Sequence, residues 1–390
     1  MNNVGVSRLS RIVLALTVLA TACAAADQQP FYRRLSLLDT AAWRIGALKA
    51  CSGASAFVLI AIDGVRSDEV FDGVNPAFAA AHGLRDSEMV GPDQLMPHLH
   101  RILRTNGVAL GAPGHGPEIR SSGPAWCSLP GYQEIFTGHP VPDCRNNSCP
   151  AVARATLADE FAALSCSGPR GVAVISSWET IERAGAANPS AVVMSTGRNH
   201  GMTREKLMDD PALRDWLLAG ERAKAFPGQD DYRPDRFTAG LGVQYLRAVR
   251  PRFLFLGLGD PDEHAHHNDY RAYLQSLRDS DQVIGQVASV LRDMERDGVS
   301  TTLVITTDHG RSRNFTGHGA GAPESGRVWL VVAGSRVLRT GRVEARRERY
   351  LADIAPTLRA MAGLAPDFTA GAGSVMDELF LAPIDLVARQ

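Results

Sequence analysis

Val304–Gly319, VITTDHGRSRNFTGHG, is the stretch whose reading decides the fold. The β-branched residues Thr301, Thr302, Val304, Ile305, Thr306 and Thr307 predict a buried strand. It stops at Asp308-His309-Gly310. A carboxylate and an imidazole at the C-terminal end of a strand, followed by glycine, suit the crevice where α/β sheets bind ligands. His318, between Gly317 and Gly319, is a loop's length away and can fold back onto the same crevice. Asp and His offer the oxygen and nitrogen donors that zinc accepts. Alone, the stretch has an equally good plain reading, with Asp308 capping a turn and both histidines on a surface loop.

Working outward, the same pattern recurs. Phe57–Ile62, FVLIAI, is a continuous apolar run ending at Asp63-Gly64, as a strand covered by helices on both faces would be. Phe253–Leu258 is a third such run and leads into GDPDEHAHH. Gly107–Leu110, Val172–Ser176 and Val328–Ala333 predict further strands. Helices are predicted around Leu95–Leu103, Leu129–Phe136 (with Ser128 as N-cap and Pro130 in its first turn), Thr156–Leu164, Tyr270–Met294 and Tyr350–Met361. The helix from Tyr270 is the clearest, with Tyr273, Leu277, Ile284, Val287, Leu291 and Met294 on one face. Alternating strands and helices imply an α/β chain, a three-layer αβα sandwich around a mostly parallel sheet. The polar span Ala186–Asp235 reads as an excursion or lid, with helices at 203–208 and 211–225.

The 390 residues carry a formal net charge of −1 and 45% hydrophobic residues, enough for a large core and without the basic footprint of a nucleic-acid-polymer binder. Residues 1–26 read as a secretory signal peptide. Arg8 and Arg11 precede the apolar run Ile12–Leu19, and Ala22, Ala24 and Ala26 form a small-residue cleavage region. Lipidation at Cys23 is the lesser alternative, because Ala20 stands where leucine is usual. Residues 27–390 then form one exported domain, periplasmic or secreted, opening with a helical arm over 27–50 and having no membrane anchor once the signal is cleaved. Export permits disulfides. Cys144 and Cys149 bracket the turn RNNS and are expected to pair, Cys51 and Cys166 could staple neighbouring strand entrances, and Cys127 is left over.

Asp63, Asp262 and Asp308 each follow an apolar strand immediately or within a few residues. Within DPDEHAHH two registers are open, Asp260 with His264 or Asp262 with His266, since either pair shares a helix face. Ser128 at a helix start is, taken alone, better explained as an N-cap than as a hydroxyl placed where backbone N–H groups favour an anion.

The order of these elements resembles the alkaline phosphatase superfamily, and within it the nucleotide pyrophosphatase/phosphodiesterase-like hydrolases. The resembling residues are Asp63, Ser128 ahead of Leu129-Pro130-Gly131-Tyr132 and Thr137-Gly138, Pro261-Asp262 with His266, Asp308-His309-Gly310, and His318-Gly319. The resemblance implies the alkaline-phosphatase-like sandwich and selects Asp262 with His266. His264 and His267 are then polar neighbours. It also implies two divalent metals, with zinc expected, one held by Asp63, Asp308, His309 and Ser128, the other by Asp262, His266 and His318. Such a pair, about 4 Å apart, clamps attacking and leaving oxygens of an in-line displacement. The implied activity is hydrolysis of small phosphate esters, mono- or diester, through a phosphoseryl intermediate on Ser128. Phosphotransferase or mutase chemistry on the same scaffold, and a non-catalytic exported metal-binding protein, are the alternatives.

Two departures are visible. Diester-cleaving relatives often carry Asn three residues after the nucleophile, where this chain has Gly131. Arg66, Arg120, Asn199, His200 and Arg313 are the candidates for the missing anion donor. Sulfatases that mature a formylglycine need Arg where Tyr132 stands, and Cys127 is one residue out of register.

Overall fold

A computed structural model describes residues 55–164, 166–198, 207–224, 230–337 and 340–380. The signal peptide 1–26, the helical arm 27–50, Cys51, Asn199 and His200 lie outside them, as does most of the predicted helix 203–208.

The strands are β1 Ser55–Ile62, β2 Gly107–Leu110, β3 Ile119–Arg120, β4 Val172–Ser176, β5 Val193–Thr196, β6 Phe253–Leu258, β7 Ser300–Thr306, β8 Arg327–Val328, β9 Leu330–Gly334, β10 Gly341–Arg342 and β11 Arg349–Tyr350. Eight of them form one sheet in the order β10-β2-β9-β7-β1-β6-β4-β5, and β11-β3-β8 form a small second sheet. In the large sheet all neighbours are parallel except β9, which is antiparallel to β2 and β7.

Alternation along β1 sends Val58, Ile60 and Ile62 to one face and Phe57, Leu59 and Ala61 to the other. The first face packs on α2 (Pro97–Thr105), α6 (Asp235–Val249) and α8 (Tyr270–Arg296) through Leu99, Leu246, Tyr273 and Leu277. The second packs on α3 (Ser128–Thr137), α4 (Leu157–Ala162) and α9 (Ile354–Ala362) through Ile135, Phe136, Phe161 and Leu358. The three-layer αβα sandwich with a mostly parallel sheet is the observed fold. Three further helices, α1 (Ser67–Asp72), α5 (Pro211–Arg222) and α7 (Asp260–His266), follow strand ends or lie in the excursion.

The differences from expectation are local. Ser128 is the first residue of α3 rather than its N-cap; Cys127 takes that place and contributes no side-chain cap. The strand predicted over 328–333 is interrupted at Trp329, giving β8 to the small sheet and β9 to the large one, because the buried Trp329 indole donates to Val65 O at 3.0 Å. The helix near Leu95 is split by Pro97 into Pro92–Leu95 and α2, and the helix near Tyr350 begins with a 3-10 turn at Leu351–Asp353. The 186–235 excursion is partly core, since it contributes β5, the sheet's edge strand beside β4, whose four residues are all buried. Cys144 and Cys149 are disulfide-bonded, Cys127 is free and buried, and Cys166 is disulfide-bonded to a residue outside those described.

Phe255 on β6 is fully buried, with the rings of Phe136 and Tyr132 centred 4.6 and 6.0 Å away. Phe255→Ala is expected to lower unfolding free energy by about 3–5 kcal/mol, read as a reduced denaturant midpoint at constant m-value. A loss under about 1 kcal/mol would show that the site collapses freely and that α3 is not seated on this ring.

Candidate metal centre and nucleophile

β6, β1 and β7 are adjacent in the sheet, so whatever follows them is delivered to one crevice. Asp63 follows β1, and its N–H is fixed by Leu258 O of β6 at 2.8 Å. Asp308 and His309 follow β7 and are fully buried; Asp262 lies in the first turn of α7, just past β6. Gly64 lies between them at φ +62°, and a Cβ there would stand 2.1 Å from Asp262 Oδ1. Only glycine lets β1's end pass between the two carboxylates.

α3 brings Ser128 to the same place. Its Oγ donates to Asp63 Oδ1 at 3.4 Å and lies 3.2 Å from His309 Nε2, so this hydroxyl is not spent on capping. The approach is close because Gly131 has no side chain; a Cβ would be 2.4 Å from Asp308 O. The neighbouring Cys127 is no rival nucleophile, because burial, with the charges of Asp308 and Asp63, pushes its thiol up to about 12.

Each carboxylate has one oxygen tied to the protein and one turned toward the cluster. Asp63 Oδ2 accepts from Tyr132 Oη at 3.0 Å, leaving Oδ1 for Ser128 and His309. Asp262 Oδ1 accepts from the buried Arg311 guanidinium, leaving Oδ2 2.9 Å from His266 Nε2 and 3.9 Å from His318 Nε2. Asp308 Oδ1 accepts from Gly64 N at 3.2 Å, while its buried Oδ2 receives no hydrogen bond and lies 3.4 Å from His309 Nε2. The imidazoles follow suit. His309 Nδ1 lies 2.8 Å from Gly310 O and His318 Nδ1 3.2 Å from Trp126 O, which leaves each Nε2 facing the cluster.

The field in this crevice calls for positive charge. Burial and the neighbouring Asp63 hold Asp308 well above the ordinary carboxylate range. Burial alone would depress His309, but Asp308, Asp63 and Asp262 outweigh it and raise its pKa to about 10. Burial and the His309 charge push His318 down to about 3, so it keeps a free lone pair. An orphaned buried oxygen, turned-in carboxylates, the free lone pair of His318 and a His309 Nε2 whose proton a cation can displace are what a divalent cation needs. Asp63, Asp308 and His309 offer ligand atoms within 4.8 Å of one another, and so do Asp262, His309 and His318. His266 is not in either group, but its Nε2 lies 3.0 Å from His318 Nε2 and 2.9 Å from Asp262 Oδ2, beside the second one. Unlike the expected partition, His309 belongs to both groups, its ring stacked on His318 at 3.9 Å.

The alternative register is accounted for elsewhere. Asp260 Oδ1 accepts from Tyr232 Oη and Asp235 N, each at 3.1 Å, and so ties the excursion to α7. His267 Nδ1 lies 2.8 Å from Glu263 O at the end of the helix. Of the expected anion donors, Arg66, Arg120 and Arg313 line a cleft of about 690 Å³ that also includes Gly310 and Arg311. Sequence reasoning gave no role to Arg311 or Tyr132, although both sit beside quoted motifs; nothing in a string tells which side chain turns inward.

Residues 242–366 match the family model described as the Metalloenzyme superfamily. GPI ethanolamine phosphate transferase 1 of Neurospora crassa is 38% identical over 102 residues, 25% of this chain and 10% of that protein. The chain thus aligns to about a tenth of that relative's length. Among solved structures, the phosphonate monoester hydrolase from Silicibacter pomeroyi superposes with a TM-score of 0.54 at 15% identity, covering 85% of this chain and 78% of that one. A 2-O glycosaminoglycan sulfatase does so with a TM-score of 0.53 at 15% identity, covering 84% and 74% of the two chains. The resemblance to the alkaline phosphatase superfamily is borne out, and the fold is shared with hydrolases of different esters; the phosphodiesterase-like branch is not singled out.

Arg311→Met removes the donor that holds Asp262 Oδ1, and is expected to weaken divalent-metal affinity by roughly 10- to 100-fold in a competition titration with a chelating dye. Unaltered affinity would show that Asp262 is held by other contacts. Because the raised pKa of about 10 leaves His309 protonated at neutral pH, a cation binding at its Nε2 has to expel that proton. Metal uptake near pH 7 is therefore expected to release about one proton, with affinity rising about tenfold per pH unit until the pH approaches that pKa. Calorimetry in buffers of different ionisation heat measures the release; zero release would place the cation away from His309.

Proposed function

We propose that this chain is an exported, divalent-metal-dependent hydrolase of small phosphate esters in which Ser128 is the nucleophile. The observation that carries the reading is the Ser128 hydroxyl, free of cap duty at the start of α3, 3.4 Å from Asp63 Oδ1 and 3.2 Å from His309 Nε2. Asp63, Asp308, His309 and Ser128 would hold one cation and Asp262, His266 and His318 a second, with zinc suited to this mixed oxygen and nitrogen set. Such cations supply positive charge that lowers the hydroxyl's pKa and stabilises the departing alkoxide.

The chain's own groups do the rest. Ser128 Oγ already donates toward Asp63 Oδ1, which can take its proton as the oxygen attacks phosphorus. The new Oγ–P bond replaces the ester P–O bond, and the alkoxide leaves with a proton drawn from solvent. Water then attacks phosphorus, the Oγ–P bond breaks, and Ser128 regains its proton. Tyr132 keeps Asp63 from rotating between these roles. The disulfide Cys144–Cys149 accords with an oxidising compartment.

Transfer to an alcohol in place of water is the second reading, favoured by the stretch shared with a protein named as an ethanolamine phosphate transferase. A sulfatase of the formylglycine type is disfavoured by Tyr132 in the required arginine position.

Assays of the metal-loaded protein on aryl phosphate mono- and diesters, with and without an added alcohol acceptor, test these readings together. Ser128→Ala is expected to reduce turnover by about 10³-fold or more. Equal hydrolysis by wild type and Ser128→Ala rejects the mechanism, and product appearing mainly as a new phosphate ester selects transfer.

A further inference from the structure

Trp216, on α5 of the excursion, is 40% exposed. A single exposed apolar residue needs no explanation. What sets this one apart is how its ring is held. A Cβ added to Gly240, inside α6, would stand 2.4, 2.5 and 2.5 Å from three consecutive atoms of the indole. Near-equal distances to consecutive ring atoms put that point over the face of the ring, not off its edge. The indole therefore lies flat on the α6 backbone, with one face covered and its exposure left to the other face and the rim. Glycine inside a helix is disfavoured against alanine, and here alanine would push the ring away. The seat of the indole is built for that ring.

The ring forms one wall of a cleft of about 520 Å³ between α5, α6 and α8, within the range of small-ligand sites. Arg236, Asp260, Asp279, Gln282 and Gln286 stand on its other walls. Gln282 and Gln286 are exposed and make no hydrogen bond to other described residues. Asp279 Oδ1 accepts from Gln275 Nε2 at 3.0 Å, which leaves its Oδ2 for a ligand. Guanidinium, carboxylate and carboxamide are flat groups that can each meet two neighbouring hydroxyls. The cleft shares no residue with the two groups of metal-ligand atoms.

This combination selects the ligand. A wholly apolar molecule would leave the polar walls without partners. An anion would face Asp260 and Asp279, and a cation would face Arg236 with one aromatic wall in place of a cage. A pyranose ring carries C–H groups on its face and hydroxyls around its rim, which matches a free indole face surrounded by flat polar groups. We infer that the cleft beside Trp216 binds a pyranose unit of a neutral glycan, stacked on the open face of the indole, with its hydroxyls held by Asp279, Gln282, Gln286 and Arg236. The site is independent of the reading of Ser128.

The labelled protein is expected to be retained by at least one neutral or N-acetylated pyranose oligosaccharide on a glycan array. Calorimetric titration with the best-retained trisaccharide then measures Kd. Trp216→Ala is expected to raise that Kd by about 10-fold or more at unchanged Tm, and Trp216→Phe, which keeps a flat ring, to recover part of the loss. Should Trp216→Ala lower Tm, Gln282→Ala and Gln286→Ala, at exposed positions of α8, repeat the measurement. An array that retains no protein overturns the inference, and so does a Kd that the folded variants leave unmoved. Saturable binding of choline chloride that is lost in Trp216→Ala, with no glycan retained, also overturns it and assigns the cleft to a cation.

Discussion

Three carboxylates are held around one buried imidazole with too few donors to satisfy them. Asp63, Asp308 and Asp262 each surrender one oxygen to the protein, through Tyr132, Gly64 N and Arg311, and turn the other inward. Like charges in a dry crevice repel strongly, and the fold concentrates them rather than dispersing them. The raised pKa of His309 is the protein's own partial remedy, a proton where larger positive charge would be more effective. The remaining geometry is arranged to keep this strained group together.

The sheet supplies the convergence. β6, β1 and β7 are neighbours, buried on both faces, and their register is fixed by residues such as Leu59, which pairs with Phe255 on one side and Val304 on the other. Rigid strands thereby carry their terminal side chains to fixed positions. Two glycines then set the spacing, Gly64 where the backbone threads between Asp262 and Asp308, and Gly131 where α3 presses onto Asp308. Trp126, at φ +37°, is a non-glycine residue in a sparsely populated backbone region two residues before Ser128. Its indole donates to Ser121 O at 3.1 Å and its carbonyl orients His318, so local strain is coupled to the placing of an imidazole.

Similarity to other proteins narrows the chemistry less than it narrows the fold. A phosphonate monoester hydrolase and a glycosaminoglycan sulfatase share the architecture at 15% identity, so the sandwich itself is neutral between phosphorus and sulfur esters. The proposal of a phosphate ester rests on local features instead: the alcohol of Ser128, and a tyrosine where formylglycine maturation would need arginine.

The strand runs that lead into Asp63, Asp262 and Asp308 were legible in the linear chain, because continuous apolar runs, period and turn residues are properties of neighbours along the backbone. So were the α8 helix, the Cys144–Cys149 pair and the seven polar residues proposed for the cations. Ser128 was one position off its expected cap, since a helix boundary depends on which group meets the first N–H, and here Asn147 supplies it from 18 residues away. The edge strand β5 inside a polar stretch, the antiparallel β9, the sharing of His309 between two groups, and the inward turn of Tyr132 and Arg311 were decided by tertiary structure alone. Each is a contact between residues distant in sequence, and such a contact exists only once the sheet has set the distances.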